Sequence, residues 1–107
     1  MDDLHRLLGA QSAEGWFDRA IVESVARALE PQWDHRTKLV DQRVASDLTG
    51  IARERAIATV WAVLLFAEHF ASRKDEWGRA RSKALRCLAV HLKRKVAEIE
   101  SWLASVK

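Results

Sequence analysis

One proline, Pro31, and four glycines are the only strong backbone breakers in 107 residues. Such a chain has few places where a helix must stop, and its abundant Ala, Leu, Arg, Glu and Lys favour helix. Cysteine is scarcer still. Cys87 stands alone, so no internal disulfide forms and nothing points to an oxidising compartment. The four histidines, His5, His35, His69 and His91, are scattered, and neither Glu-x-x-His nor His-Glu-x-x-His occurs. Glycine-rich phosphate loops are missing as well. The N-terminal Met1-Asp2-Asp3-Leu4 is acidic and lacks an apolar core, unlike a signal peptide. The expectation is a cytoplasmic protein with no cofactor and no metal.

What is present is an uncharged run from Ile57 to Ala67, eleven residues in a chain that is 31% charged. It is too short to span a bilayer, which takes roughly 20 apolar residues. Being apolar all round, it reads as a helix wrapped by other elements. Hydrophobic residues make up 49% of the chain, the balance of a globular protein, and the length suits one domain over 1–107. The predicted fold class is all-α, a small bundle of four to five helices with a central apolar helix and a long C-terminal one.

Taken in order, Leu4, Leu7 and Leu8 make the stripe of a short first helix, capped by Asp2 or Asp3 and ending at Gly9-Ala10. Gln11 to Gly15 reads as a loop. A second helix follows from about Trp16 to Leu29, burying Phe17, Ile21, Val22, Val25, Ala28 and Leu29, and Pro31 stops it. Asp34 is placed to cap a third, peripheral helix from about His35 to Leu48, with Leu39, Val40, Val44 and Leu48 on a thin stripe. Thr49-Gly50 breaks it, and the central helix covers about Ile51 to Ser72. Asp75-Glu76 places acids at a helix start. From Trp77 the apolar residues Ala80, Ala84, Leu88, Leu92, Val96, Ile99, Leu103 and Val106 recur in threes and fours, which predicts one long helix to about Ser105 with room for a bend near His91.

Two spots suggest more than packing. Gln11-Ser12-Ala13-Glu14-Gly15-Trp16-Phe17 fits Gln-x-x-x-Gly-x-aromatic. The amide can bond loose backbone groups at a helix end, Gly permits the sharp turn, and the ring seals the next helix onto the core. The second is Asp75-Glu76-Trp77 followed by Lys83-Ala84 and Leu88. With Ala58-Thr59 of the central run, these resemble the helical segment at the C-terminal end of proteins that combine a vault/inter-α-trypsin (VIT) domain with a von Willebrand A domain. That family's segment has a Leu-Gln…Gly-x-Phe/Trp turn, then Trp-Ala-Thr in a helix, then Glu-Trp with Lys-Ala and Trp-Leu after it. Order and rough spacing agree over about residues 4–90, leaving about 91–107 as a C-terminal helical extension. The chain departs at Ala10, where the family has Leu, and at Ile57, where it has Trp, with Trp61 one turn later. Cys87 also stands at a Trp position. The resemblance implies a non-catalytic accessory module that packs on neighbours or docks a partner, as a domain or subunit of a von Willebrand A-containing system. No adhesion-site metal carries over, because these residues contain no VIT or von Willebrand A domain.

Five tryptophans are many for this length. Trp61 and Trp77 are expected in the core, and one of Trp16 and Phe17 is expected to be the more exposed. Trp33 either anchors a partner, as interface Trp does, or packs over a helix end. Leu92, Val96, Ile99, Leu103 and Val106, with Trp102 beside them, form a seam that either meets a protein partner or second copy or folds back on its own bundle.

Charge is uneven: residues 1–72 carry 8 Lys/Arg against 11 Asp/Glu, and residues 73–107 carry 10 against 4. In the basic part Arg79, Lys83, Arg86, Lys93 and Arg94 fall broadly on one helix face. That face is either ordinary solvated surface or a phosphate-binding one. Cys87 and His91, one turn apart, read as a packed thiol and a surface histidine, and a nucleophile–base pair there lacks an orienting acid nearby. The expected function is therefore protein–protein interaction or assembly without catalysis. The alternative is a small basic nucleic-acid-binding protein using the C-terminal helix, and a hydrolase built on Cys87 is a remote third.

Overall fold

The computed structural model describes residues 2–44 and 50–104. In it Asp2 opens the first helix by accepting the His5 N–H at 3.1 Å, the cap expected from sequence. That helix, α1 (Asp3–Gly9), buries Leu4 and Leu7. The next, α2 (Arg19–Leu29), begins three residues later than Trp16 because Asp18 caps it, its carboxylate accepting the Ile21 N–H at 3.2 Å. It buries Val22, Val25 and Ala26, while Ala28, expected inward, is exposed. Glu30 precedes Pro31 and closes α2. Its carboxylate then accepts the Gln32 N–H at 3.0 Å. This lets α3 (Trp33–Val44) start ahead of His35, with Asp34 in its first turn and not at its cap. The thin stripe survives as buried Val40 and half-buried Leu39. Leu48, the expected end of that helix, lies outside the described residues.

At the centre is α4 (Gly50–His69), in which every residue from Ala56 to Phe66 is buried. Helices α2 and α3 pack on it, as does α5 (Lys74–Leu92), so no side of the apolar run is left to water. Each Leu, Ile, Val and Phe buried there contributes about 1.5–3 kcal/mol by leaving water. Ala67 is exposed, and α4 stops at His69, short of Ser72. A 3-10 turn (Ala71–Arg73) leads into α5. There Asp75 and Glu76 occupy the first turn as the macrodipole favours.

The single long C-terminal helix is corrected. Helix α5 ends at Leu92, Lys93 takes a left-handed conformation (φ 55°), and α6 (Val96–Ala104) turns back along α5. The amides of Lys93 and Arg94 both donate to the Ala89 carbonyl, closing the helix end. An unbroken helix from Trp77 to Ser105 would run about 43 Å, past the 35 Å longest dimension of the molecule. The break instead brings Ile99 and Leu103 into the core, at 0% and 7% exposure. The architecture is thus an all-α bundle of six helices among the described residues, and no described helix is long and apolar enough to cross a membrane.

Candidate functional site

The residues that carry the family-like pattern meet at one place. Between α1 and α2 the chain makes a tight excursion: Asp18 N–H donates to the Ala10 carbonyl, and Ser12 N–H to the Trp16 carbonyl. Phe17 N–H faces away from that pairing and finds the Thr59 hydroxyl of α4 at 3.2 Å. Thr59 in turn donates to the Arg55 carbonyl at 2.7 Å, so one buried hydroxyl satisfies two backbone groups. Gln11 Nε2 donates to the Gly15 carbonyl across the turn and to the Ala80 carbonyl of α5 at 3.0 Å.

Gly15 sits at φ 114°, where a Cβ would lie 2.9 Å from the Lys83 carbonyl oxygen and 3.0 Å from Cys87 Cβ. The ring of Phe17 meets Phe66 edge-on at 5.9 Å, and Phe66 stacks on Trp77 at 5.5 Å. Trp77 Nε1–H donates to the Phe70 carbonyl at 2.7 Å. Gln11, Gly15, Phe17, Thr59, Trp77 and Lys83 therefore belong to one knot joining the first loop, α4 and α5, while Ala58, Ala84 and Leu88 are buried in the core. Trp61 lies on another side of α4, 4.6 Å from the Trp33 ring.

A second cluster, which the sequence reading did not single out, lies at the α2–α3 link. Arg36, 6% exposed, donates from Nη1 to Glu30 at 2.6 Å and from both Nη atoms to Glu68 at 2.8 and 2.7 Å. Its guanidinium also lies 5.2 Å over the Trp61 ring. Hydrogen bonding from Glu68 leads in holding the Arg36 charge firmly on. Burial works to raise the Glu30 carboxyl, but the Gln32 N–H and Arg36 outweigh it and hold it below its ordinary value. Glu30, Glu68 and His69 bring ligand-type atoms within 4.8 Å of one another. The guanidinium already bonds both carboxylates there. Charged residues at helix ends gave no periodic signal, so nothing in the pattern flagged this triad.

Of the two alternatives weighed for each expected partner contact, the structure shows the packed one. Trp33 is 8% exposed and tilted against Trp61, with Arg27 over its ring at 5.7 Å, so it packs over a helix end. Leu92, Val96 and Trp102 are half-buried against the core beside Ile99 and Leu103. The seam is covered by its own bundle through the turn at Lys93, and Val106 falls outside the described residues. Trp16 and Phe17 are both buried, at 5% and 1%, because Trp16 rests on the His91 ring at 4.5 Å.

Cys87 Sγ is 3.9 Å from His91 Nδ1, but that nitrogen also faces the Cys87 carbonyl at 2.9 Å. Burial, with Glu14 adding, pushes the thiol's pKa up. This is the reverse of what a nucleophile needs.

The basic residues Arg79, Lys83, Arg86, Lys93 and Arg94 remain at or near the surface. Arg94 pairs with Glu98 at 3.8 Å and the neighbouring Arg81 with Glu100 at 3.2 Å. Against known proteins, no family model, no curated protein and no solved structure matches this chain.

Proposed function

We propose that this chain is a non-catalytic helical interaction or assembly module, working in the cytoplasm as an accessory unit of a von Willebrand A-containing system. The observation that carries the reading is the convergence of the motif. Three segments, joined across as many as 69 positions from Gln11 to Ala80, use their amide, hydroxyl and rings on one another. A pattern of that kind maintains a shape, and function then belongs to the outer surfaces the shape presents. The raised thiol of Cys87 fits the same reading, since its neutral form is a poor nucleophile.

The test is capture from native lysate on the immobilised protein, paired with light scattering of the pure chain. The expected result is one protein retained in fixed stoichiometry through a moderate-salt wash. A protein that stays monomeric and retains nothing would overturn the reading. Salt-sensitive retention of duplex DNA or RNA in place of protein would favour the nucleic-acid alternative.

A further inference from the structure

The outer face of α5 carries a feature that the motif and the core leave unused. Arg79, Lys83, Arg86 and Val90 follow one another at intervals of four, three and four residues, so they form a single line along the helix, with Lys93 continuing it past the helix end. The line from Arg79 to Val90 is about 16 Å long. None of these four cations takes part in an ion pair among the described residues, although Arg81 and Arg94 on the flanks are paired to α6. The carboxylate in the same line, Asp75, lies a turn below Arg79 and pairs with none of them.

Among the cations stands Val90, 72% exposed, an unusual setting for a valine. Beside it Lys83, Arg86, Val90 and His91 line a shallow groove together with Cys87 and Glu14, which pairs with none of the cations among the described residues. The arrangement is a small apolar seat within a row of unmatched positive charge.

We infer that this face is a docking site for an acidic protein segment, one that lays carboxylates along Arg79, Lys83 and Arg86 and sets an apolar side chain against Val90. The inference rests on the interaction-module reading above and names its partner class. Charge complementarity selects an acidic partner, and the exposed valine selects protein over nucleic acid, whose phosphates present nothing apolar to it. Single-stranded nucleic acid further calls for exposed aromatic rings. Here Trp16, Trp33, Trp61 and Trp77 are buried, and Trp102 is half-buried against the core.

The probe is a fluorescein-labelled helical peptide with glutamates spaced i, i+4, i+7 around one leucine, followed by anisotropy at fixed ionic strength. It is expected to bind at least tenfold more tightly than its Leu→Ser version and than a random-sequence DNA duplex. Arg86→Glu and Val90→Ser should each weaken it severalfold, and together at least tenfold, with circular dichroism and Tm unchanged. No binding, equal binding of the Leu→Ser peptide, tighter binding of the duplex, or indifference to both substitutions overturns the proposal. Lysate capture with the Arg86→Glu/Val90→Ser protein separates the two levels. A partner held equally by parent and variant sinks this docking site and leaves the module reading standing, whereas a parent that holds nothing sinks both.

Discussion

Replacing Gly15 by alanine tests whether the first loop is truly locked onto α5. At φ 114° a residue with a Cβ is held in a sparsely populated conformation, at about 1–3 kcal/mol. The new methyl would also meet the Lys83 carbonyl oxygen at 2.9 Å. That oxygen belongs to a helix backbone and cannot swing aside as a side-chain tip does. If the loop retreats, the Gln11–Ala80 hydrogen bond weakens, adding roughly 0.5–1.5 kcal/mol. The expected loss is on the order of 2–5 kcal/mol, a large share of the roughly 5–15 kcal/mol that holds a domain folded.

Gly78 is the internal control. It lies within α5, and a methyl added there would have nothing within 4 Å of it, so alanine at this position should stabilise by about 0.5–1 kcal/mol. Urea titrations followed by tryptophan fluorescence measure both. A Gly15→Ala protein within about 1 kcal/mol of the parent, or shifts of the same sign at the two sites, would refute the account of the knot.

Thr59→Val keeps the shape but strands the buried Phe17 N–H, and should lower stability by about 1–3 kcal/mol, whereas Thr59→Ser should recover most of it in the same titration. Arg36→Met leaves Glu30 buried without its partner, for a loss of about 3–5 kcal/mol. Because the folded-state pKa of Glu30 lies below the ordinary 4.5, its contribution is complete above that pH and is lost as pH falls through the folded value. Urea midpoints of the parent should therefore drop below about pH 4.5, and those of Glu30→Gln should drop less. Cys87 should react with a maleimide at neutral pH far more slowly in the folded protein than in denaturant, as a buried thiol of raised pKa must. Rapid labelling of the native form would revive the nucleophile reading.

The central helix was the most legible element, since eleven uncharged residues admit few other uses, and the buried segment is offset from the run by one position. Helix ends were read less well because side chains several residues away decided them. Asp18 moved the start of α2 by capping the Ile21 amide, and Glu30 turned the chain just ahead of α3 by accepting the Gln32 N–H, contacts that hydropathy does not register. The Lys93 turn was legible only as room for a bend near His91, for a different reason: a left-handed residue there is usually Gly or Asn, and the threes-and-fours pattern runs through the break without a fault. The motif residues were visible as a set, but their meeting point was not, because hydrogen bonds such as Gln11 to Ala80 span 69 positions. The Arg36 triad left no trace in the pattern at all. Three charged residues at helix ends look like surface until the fold encloses them.

The burial of α4 on every side carries a consequence for biosynthesis. When α4 leaves the ribosome, α2 and α3 are ready to cover part of it, but the face that belongs to α5 is still bare. Trp77 lies eight residues past the end of α4 at His69 and follows at about 5–20 residues per second, a gap of roughly 0.4–1.6 s. Through that interval the face of Phe66 destined for Trp77 is open to water and to other nascent chains. The growing polypeptide is most exposed to aggregation, and most in need of a chaperone, just before Trp77 arrives to close it.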